Sequence, residues 1–96
     1  MPGPISKFSR SHAIQRRLHE LVPGGSHTYS KGEDQFPYLS PPIIARAEGA
    51  YCWDVDGNRF IDWAMGNRVI ALGHNYRAVN EAVKKQIDLG LNFTRP

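Results

Sequence analysis

A single cysteine, Cys52, means that no disulfide can form within the chain. That suits a reducing compartment. Cys52 sits between Tyr51 and Trp53 in an alternating segment and reads as a small buried hydrophobe rather than a nucleophile. The four histidines, at 12, 19, 27 and 74, lack ligand spacing with one another or with Cys52, so no metal site is expected. No stretch approaches the roughly 20 apolar residues of a membrane span. The N-terminus has no uninterrupted apolar run of the secretory kind. The expectation is a soluble, cytoplasmic protein with no membrane partner. There is no internal repeat and no low-complexity tract. Pro23-Gly24-Gly25-Ser26 lacks the basic residue that a phosphate loop places after its glycines. Ser26, Thr28 and Ser30 surround His27 but do not assemble a nucleophile, base and orienting group. Asp54, Asp56 and Asp62 lack the twelve-residue calcium-loop pattern and read as turn and strand-end polarity.

What is present is the composition of one globular unit. The chain has 96 residues, 41% hydrophobic and 22% charged, and bears a formal charge of +3. Such a length gives one domain at most and buries only about 60–70% of its unfolded surface. Its sequence pI is about 9.3. The basic residues cluster at Lys7, Arg10, Arg16 and Arg17, with His12 and His19 nearby. They read as the solvated face of a helix, without the interleaved aromatics of a nucleic-acid surface, so no nucleic-acid partner is expected.

Residues 6–22 carry Ile14, Leu18 and Leu21 at helical spacing, with Val22 beside them, and predict an amphipathic helix ended by Pro23-Gly24-Gly25. Residues 23–42 have neither helical nor strand period and predict a loop of unusual length, of the kind that tends to be functional. An extended segment from Ile43 to Glu48 follows. Tyr51, Trp53 and Val55 then alternate with Cys52 and Asp54, and Phe60-Ile61 leads a return strand. Asp56-Gly57 between them predicts a tight hairpin with a primed turn. The result is an antiparallel meander of two or three strands. Residues 64–71 are mixed, with Gly66 as a flexible point. Asn75 is placed to cap a helix over 76–89, whose stripe is Val79, Val83 and Ile87 with Ala82, and Gly90 ends it. Leu91 and Phe93 read as the start of another packed element.

Three segments carry a resemblance. LVPGG at Leu21–Gly25, GAYCWDVDGNRFIDW at Gly49–Trp63 and LGHNYRAVNEAV at Leu72–Val83 are similar, in order and spacing, to the N-terminal part of class III pyridoxal-phosphate-dependent aminotransferases. Within that family it is similar to the glutamate-1-semialdehyde aminomutase-like members. The warrant is association; the hairpin physics alone names no family.

The resemblance implies an α/β architecture, the N-terminal part of a fold-type I transferase. Residues 1–71 would belong to the small domain and 72–96 would begin the large, cofactor-binding domain, making one incomplete unit. The implied activity is amino-group transfer between an amino compound and an oxo acid or aldehyde, or the related aminomutase reaction, in a homodimer with pyridoxal 5′-phosphate. In such chains the reactive lysine, the pyridine-nitrogen aspartate and the main phosphate-binding turn lie further along. Lys7, Lys31, Lys84 and Lys85 match none of these, so no catalytic residue is expected here, cofactor-binding residues are unassigned, and the chain alone is expected to be inactive and to fold poorly or self-associate. The implied substrate-binding residues are Thr28, Lys31, Asn67 and Arg68. Thr28 and Lys31 align with a serine and an arginine that hold the substrate carboxylate, and Asn67 with an aromatic bordering the pocket. Lys lacks the fork that Arg offers a carboxylate, which favours an amino or oxo compound other than the aminomutase's own substrate. The alternative is a non-catalytic interaction module whose exposed Tyr51, Trp53, Phe60 and Trp63 form one partner patch.

Overall fold

The computed structural model describes residues 7–37 and 42–94. Helix α1 (Ser9–Leu21) leads to three single 3-10 turns, Pro23–Gly25, Tyr29–Lys31 and Glu33–Gln35. Strands β1 (Ile44–Glu48), β2 (Tyr51–Asp54) and β3 (Arg59–Ile61) form one antiparallel sheet in the order β1-β2-β3. A four-residue turn, α2 (Met65–Arg68), and helix α3 (Arg77–Leu89) complete the chain. The predicted helices and meander are present, and the fold is α/β. Part of the long loop, 38–41, lies outside the described residues.

The face that α1 buries differs from the predicted apolar stripe. Ser11 is fully buried and Gln15 and Phe8 nearly so, whereas Leu21 is 61% exposed. The cause is a set of polar contacts from elsewhere in the chain. The N–H groups of Arg10 and Ser11 donate to the two carboxylate oxygens of Asp56, each at 2.9 Å. Ile43 N–H donates to Ser11 Oγ at 3.1 Å, and Asn58 Nδ2 to the Lys7 carbonyl at 2.8 Å. The first N–H groups of a helix have no partner within it, and here the hairpin tip supplies one with negative charge, which the helix dipole favours. Asp56 is thus a tertiary helix cap rather than mere turn polarity.

The hairpin also differs from the expected two-residue primed turn. Gly57 N–H donates to the Asp54 carbonyl at 3.1 Å, and Asp54 N–H to the Asn58 carbonyl at 3.1 Å. Only Gly57, at φ 87°, is left-handed in this loop. That is the three-residue connection ending in a left-handed glycine. Buried Asp54, 3% exposed, selects it: Oδ1 accepts from the N–H groups of Asp56 (3.0 Å) and Asn58 (2.8 Å), and Oδ2 from Asn58 Nδ2 (2.8 Å).

Alternation along β2 divides the aromatics between two faces. Cys52 and Asp54 are buried, while Tyr51 and Trp53 lie opposite, roofed by guanidinium groups. Arg46 stacks 3.7 Å from the Trp53 ring centre and Arg59 4.7 Å from that of Tyr51. Phe60 pairs with Cys52 on the inner face. Trp63 is 84% exposed. The four aromatics therefore do not form the single patch expected of the interaction module.

Asn75 does not cap α3. Its φ is 56°, Tyr76 holds the cap position without a side-chain bond, and Asn75 Oδ1 instead accepts from Asn80 Nδ2. Gly90 ends the helix at φ 104° as expected. No residue of α3 is buried. Among the described residues no helix is long and apolar enough to cross a membrane.

Candidate functional site

The four expected substrate residues occupy two exposed loops. Thr28 and Lys31 flank the second 3-10 turn, and Asn67 and Arg68 lie on α2. Thr28 lines a hollow of about 360 Å³ with Pro23, His27, Tyr29 and Asp34. Lys31, Asn67 and Arg68 line neither this hollow nor the second cavity. No hydrogen bond or ion pair joins the two loops through these four side chains among the described residues.

The 3-10 loop is tied down at its stem. Ser26 Oγ donates to the Thr28 carbonyl at 2.8 Å, and His19 of α1 meets Glu33 side chain to side chain. Lys31 N–H donates to the Thr28 carbonyl at 3.2 Å, so the two candidate residues bracket one turn.

Asn67 and Arg68 stand on a strained backbone. Met65, Gly66, Asn67 and Arg68 all have positive φ, at 50°, 58°, 63° and 73°. The turn is left-handed, so Gly66 belongs to a defined structure rather than a flexible point. Glycine and asparagine tolerate this region, but Met65 and Arg68 each sit there at a cost of about 1–2 kcal/mol. Non-glycine residues persist in such conformations when the surroundings over-determine them, and they concentrate at functional sites.

The over-determining contact is a pair that sequence reading missed. Asp62 Oδ1 accepts from the N–H groups of Ala64 (3.1 Å) and Met65 (2.9 Å), at the entrance of the turn. Its Oδ2 lies 2.6 Å from His74 Nε2, with both side chains about one-fifth exposed. The hydrogen bond from His74 is the main reason that the Asp62 carboxyl is held below the usual carboxylate range; burial opposes it and the Met65 N–H adds to it. His74 is fixed in turn through its backbone, exchanging hydrogen bonds with Gly49 at 2.8 and 2.9 Å. Gly73 permits that approach: a Cβ there would sit 3.1 Å from Gly49 Cα. The available sequence signal was an aspartate directly after a strand, with a Gly-His pair twelve residues on.

Asp62 and His74 form the polar end of a cavity of about 520 Å³ that is otherwise mostly apolar, with Phe8, Phe36, Cys52 and Phe60 in its wall. Cys52 is buried there, as the sequence predicts. Burial, followed by the nearby charges of Asp62 and Asp54, pushes its thiol pKa up, so it is a packing group rather than a nucleophile. Among the described residues, no lysine lines either cavity.

Residues 28–95 match the family described as aminotransferase class-III. The chain belongs to that family. Among its relatives, the glutamate-1-semialdehyde 2,1-aminomutase of Chloroflexus aurantiacus is 37% identical over 90 residues, which cover 94% of this chain and 20% of that enzyme. The chain thus spans about one-fifth of the length of the curated relatives it matches. Solved structures of transaminases and aminomutases agree in fold. A glutamate-1-semialdehyde aminomutase from Pseudomonas aeruginosa superposes with a TM-score of 0.77 at 28% identity, over 91% of this chain and 19% of that one. An omega-transaminase from Sphaerobacter thermophilus gives 0.74 at 27% identity, over 99% and 20% respectively. The observed α/β arrangement accordingly shares the fold of part of these fold-type I transaminases. Both loops that carry Thr28, Lys31, Asn67 and Arg68 fall inside the matched region.

Proposed function

We propose that this chain serves a pyridoxal-phosphate-dependent aminotransferase or aminomutase as its N-terminal portion, and that it presents substrate contacts but no catalytic residue. The observation that carries the reading is the family match over residues 28–95 in a chain spanning one-fifth of its relatives. In such enzymes the cofactor supplies the electron sink for chemistry at the amino-bearing carbon. The residues described here do not fit a seat for it, because no lysine lines either cavity. Residues 1–71 belong to the small domain and 72–96 open the large one. The exposed apolar stripe of α3 is then a face for the remainder of the enzyme or for the second subunit of a homodimer in the cytoplasm.

Thr28, Lys31, Asn67 and Arg68 border the mouth of the substrate site in this reading. Lys31 and Arg68 contribute positive charge toward an anionic group, and Asn67 leaves that wall open where relatives carry a bulky ring. Losing one charge-assisted contact costs about 1.5–3 kcal/mol, roughly ten- to a hundredfold in affinity.

Two measurements test the proposal. The purified chain, incubated with pyridoxal phosphate and amino donors, is expected to show no turnover and no borohydride-trapped cofactor; turnover refutes inactivity. In an enzyme containing this segment, Lys31→Ala or Arg68→Ala raises KM for anionic substrates more than for neutral amines. Equal changes for the two substrate types remove these residues from the site.

A further inference from the structure

The left-handed turn that carries Asn67 and Arg68 is closed at its base by two side chains from different parts of the fold. Asp62 follows the last residue of β3, and its own N–H donates to the Ala50 carbonyl at 2.9 Å. Its carboxylate therefore has a fixed origin in the sheet. His74 has another, because its backbone is bridged both ways to Gly49 at the β1–β2 corner. The carboxylate divides its work: one oxygen faces His74, and the other takes the two N–H groups that enter the turn. Within the turn, Arg68 N–H donates to the Ala64 carbonyl and Ile70 N–H to that of Met65, each at 3.1 Å. Left-handed backbone at Met65 and Arg68 is not what those residues select for themselves. Acceptors placed for Ala64 and Met65 select it instead.

We propose that Asp62 and His74 are a positioning pair: their side-chain contact closes the 62–74 loop, and the other Asp62 oxygen sets the left-handed turn that presents Asn67 and Arg68 to an anionic substrate. This rests on the substrate reading of Asn67 and Arg68 given above. Neither member of the pair touches substrate. His74 acts through Asp62, and Asp62 acts through the backbone of Ala64 and Met65. Among the described residues, Cys52 is the one ionisable side chain besides the pair in the wall of the adjoining cavity, and its raised pKa keeps it from titrating in acid.

The test uses an enzyme that contains this segment, in solution and without ligand. The coupling of each Hα to the preceding carbonyl carbon is largest in the left-handed region, so it reports the turn at Met65, Asn67 and Arg68. The Asp62 Cγ shift reports the carboxyl titration, and Cys52–Phe60 cross-strand contacts report the sheet. His74→Leu is expected to lose the large couplings and move the Asp62 midpoint up toward the ordinary aspartate value while the sheet contacts stay. His74→Gln, which keeps a donor, should restore the couplings. Should His74→Leu also lose the sheet, the unmodified enzyme decides: its couplings must fall with the Asp62 midpoint as pH is lowered. Couplings unchanged in His74→Leu, flat through the Asp62 midpoint, or coil-averaged in the unmodified enzyme overturn the proposal. No ligand enters these readouts, so their failure leaves the substrate reading standing. A turn that obeys the pair, in an enzyme where Arg68→Ala treats anionic and neutral substrates alike, removes the substrate reading alone.

Discussion

Helices α1 and α3 are each 13 residues long, yet they are held in opposite ways. α1 has the irregular apolar stripe, and it is the one docked, through a serine, a glutamine and its own first N–H groups. α3 has the cleaner stripe, and Val79, Val83 and Ile87 on it are 47%, 48% and 54% exposed. Amphipathicity states which face a helix has to offer, not what covers it. Docking of α1 came from one aspartate at a hairpin tip, Asp56, in a loop that a second, Asp54, holds in shape. Those carboxylates satisfy backbone groups that would otherwise lack partners, and such satisfaction is directional in a way that apolar burial is not.

Four measurements test that contrast. The largest effect is expected for Asp54→Ala, which strips acceptors from two backbone N–H groups and the Asn58 amide inside the hairpin. It should cost about 3 kcal/mol or more and release α1 along with the loop, read as lost Trp53 near-UV signal and a lower urea midpoint. A small effect would mean that α1 is held by its apolar residues after all.

Next is Gly73→Ala. The new Cβ would press on the Gly49 backbone at 3.1 Å, at a φ of 89°. About 1–3 kcal/mol is expected from the strained conformation alone, with the Gly49–His74 bridge opening and α1 unaffected. Slowed exchange at those amides would contradict this.

Acid gives a graded effect. Asp62 is held below the usual carboxylate range chiefly by His74. For Asp56, partial burial pushes upward, but the Arg10 and Ser11 N–H groups outweigh it and the net shift is down. Both groups therefore contribute stability that is fully present above the unfolded aspartate pKa of about 3.9 and is lost as pH falls through their lower folded values. Melting temperatures should be level from pH 7 to about 5 and drop below about 4. In Asp56→Asn part of that acid loss should vanish, and an unaltered profile would remove Asp56 from the account.

The smallest effect is reserved for α3. Val83→Lys should change the stability of this chain by no more than about 0.5 kcal/mol, the usual range for a surface position. A larger loss, accompanied by a change in sedimentation, would show the stripe covered by a second copy. It would also erase the difference between the two helices.

The main helices and strands and their order were legible in the residues alone. Helical spacing marked both helices, alternation marked the meander, Gly57 marked the hairpin, and Cys52 was legible as a packing residue. These follow from local periodicity and from the conformational freedom of single residues, which neighbours in sequence decide. Motif order was also enough to indicate the family. The tertiary structure alone decided which face of α1 is buried, because that depended on Asp56, more than forty residues away. It alone showed the hairpin to be a three-residue loop around Asp54 and moved Asn75 from helix cap to left-handed bend. It alone brought His74 to Asp62 and set a left-handed turn under Asn67 and Arg68. Each of these is a side chain satisfying a backbone group or a partner distant in sequence. Such pairings leave no periodic trace, since any aspartate or histidine at those positions reads locally as loop polarity until the sheet brings its partner within hydrogen-bonding distance.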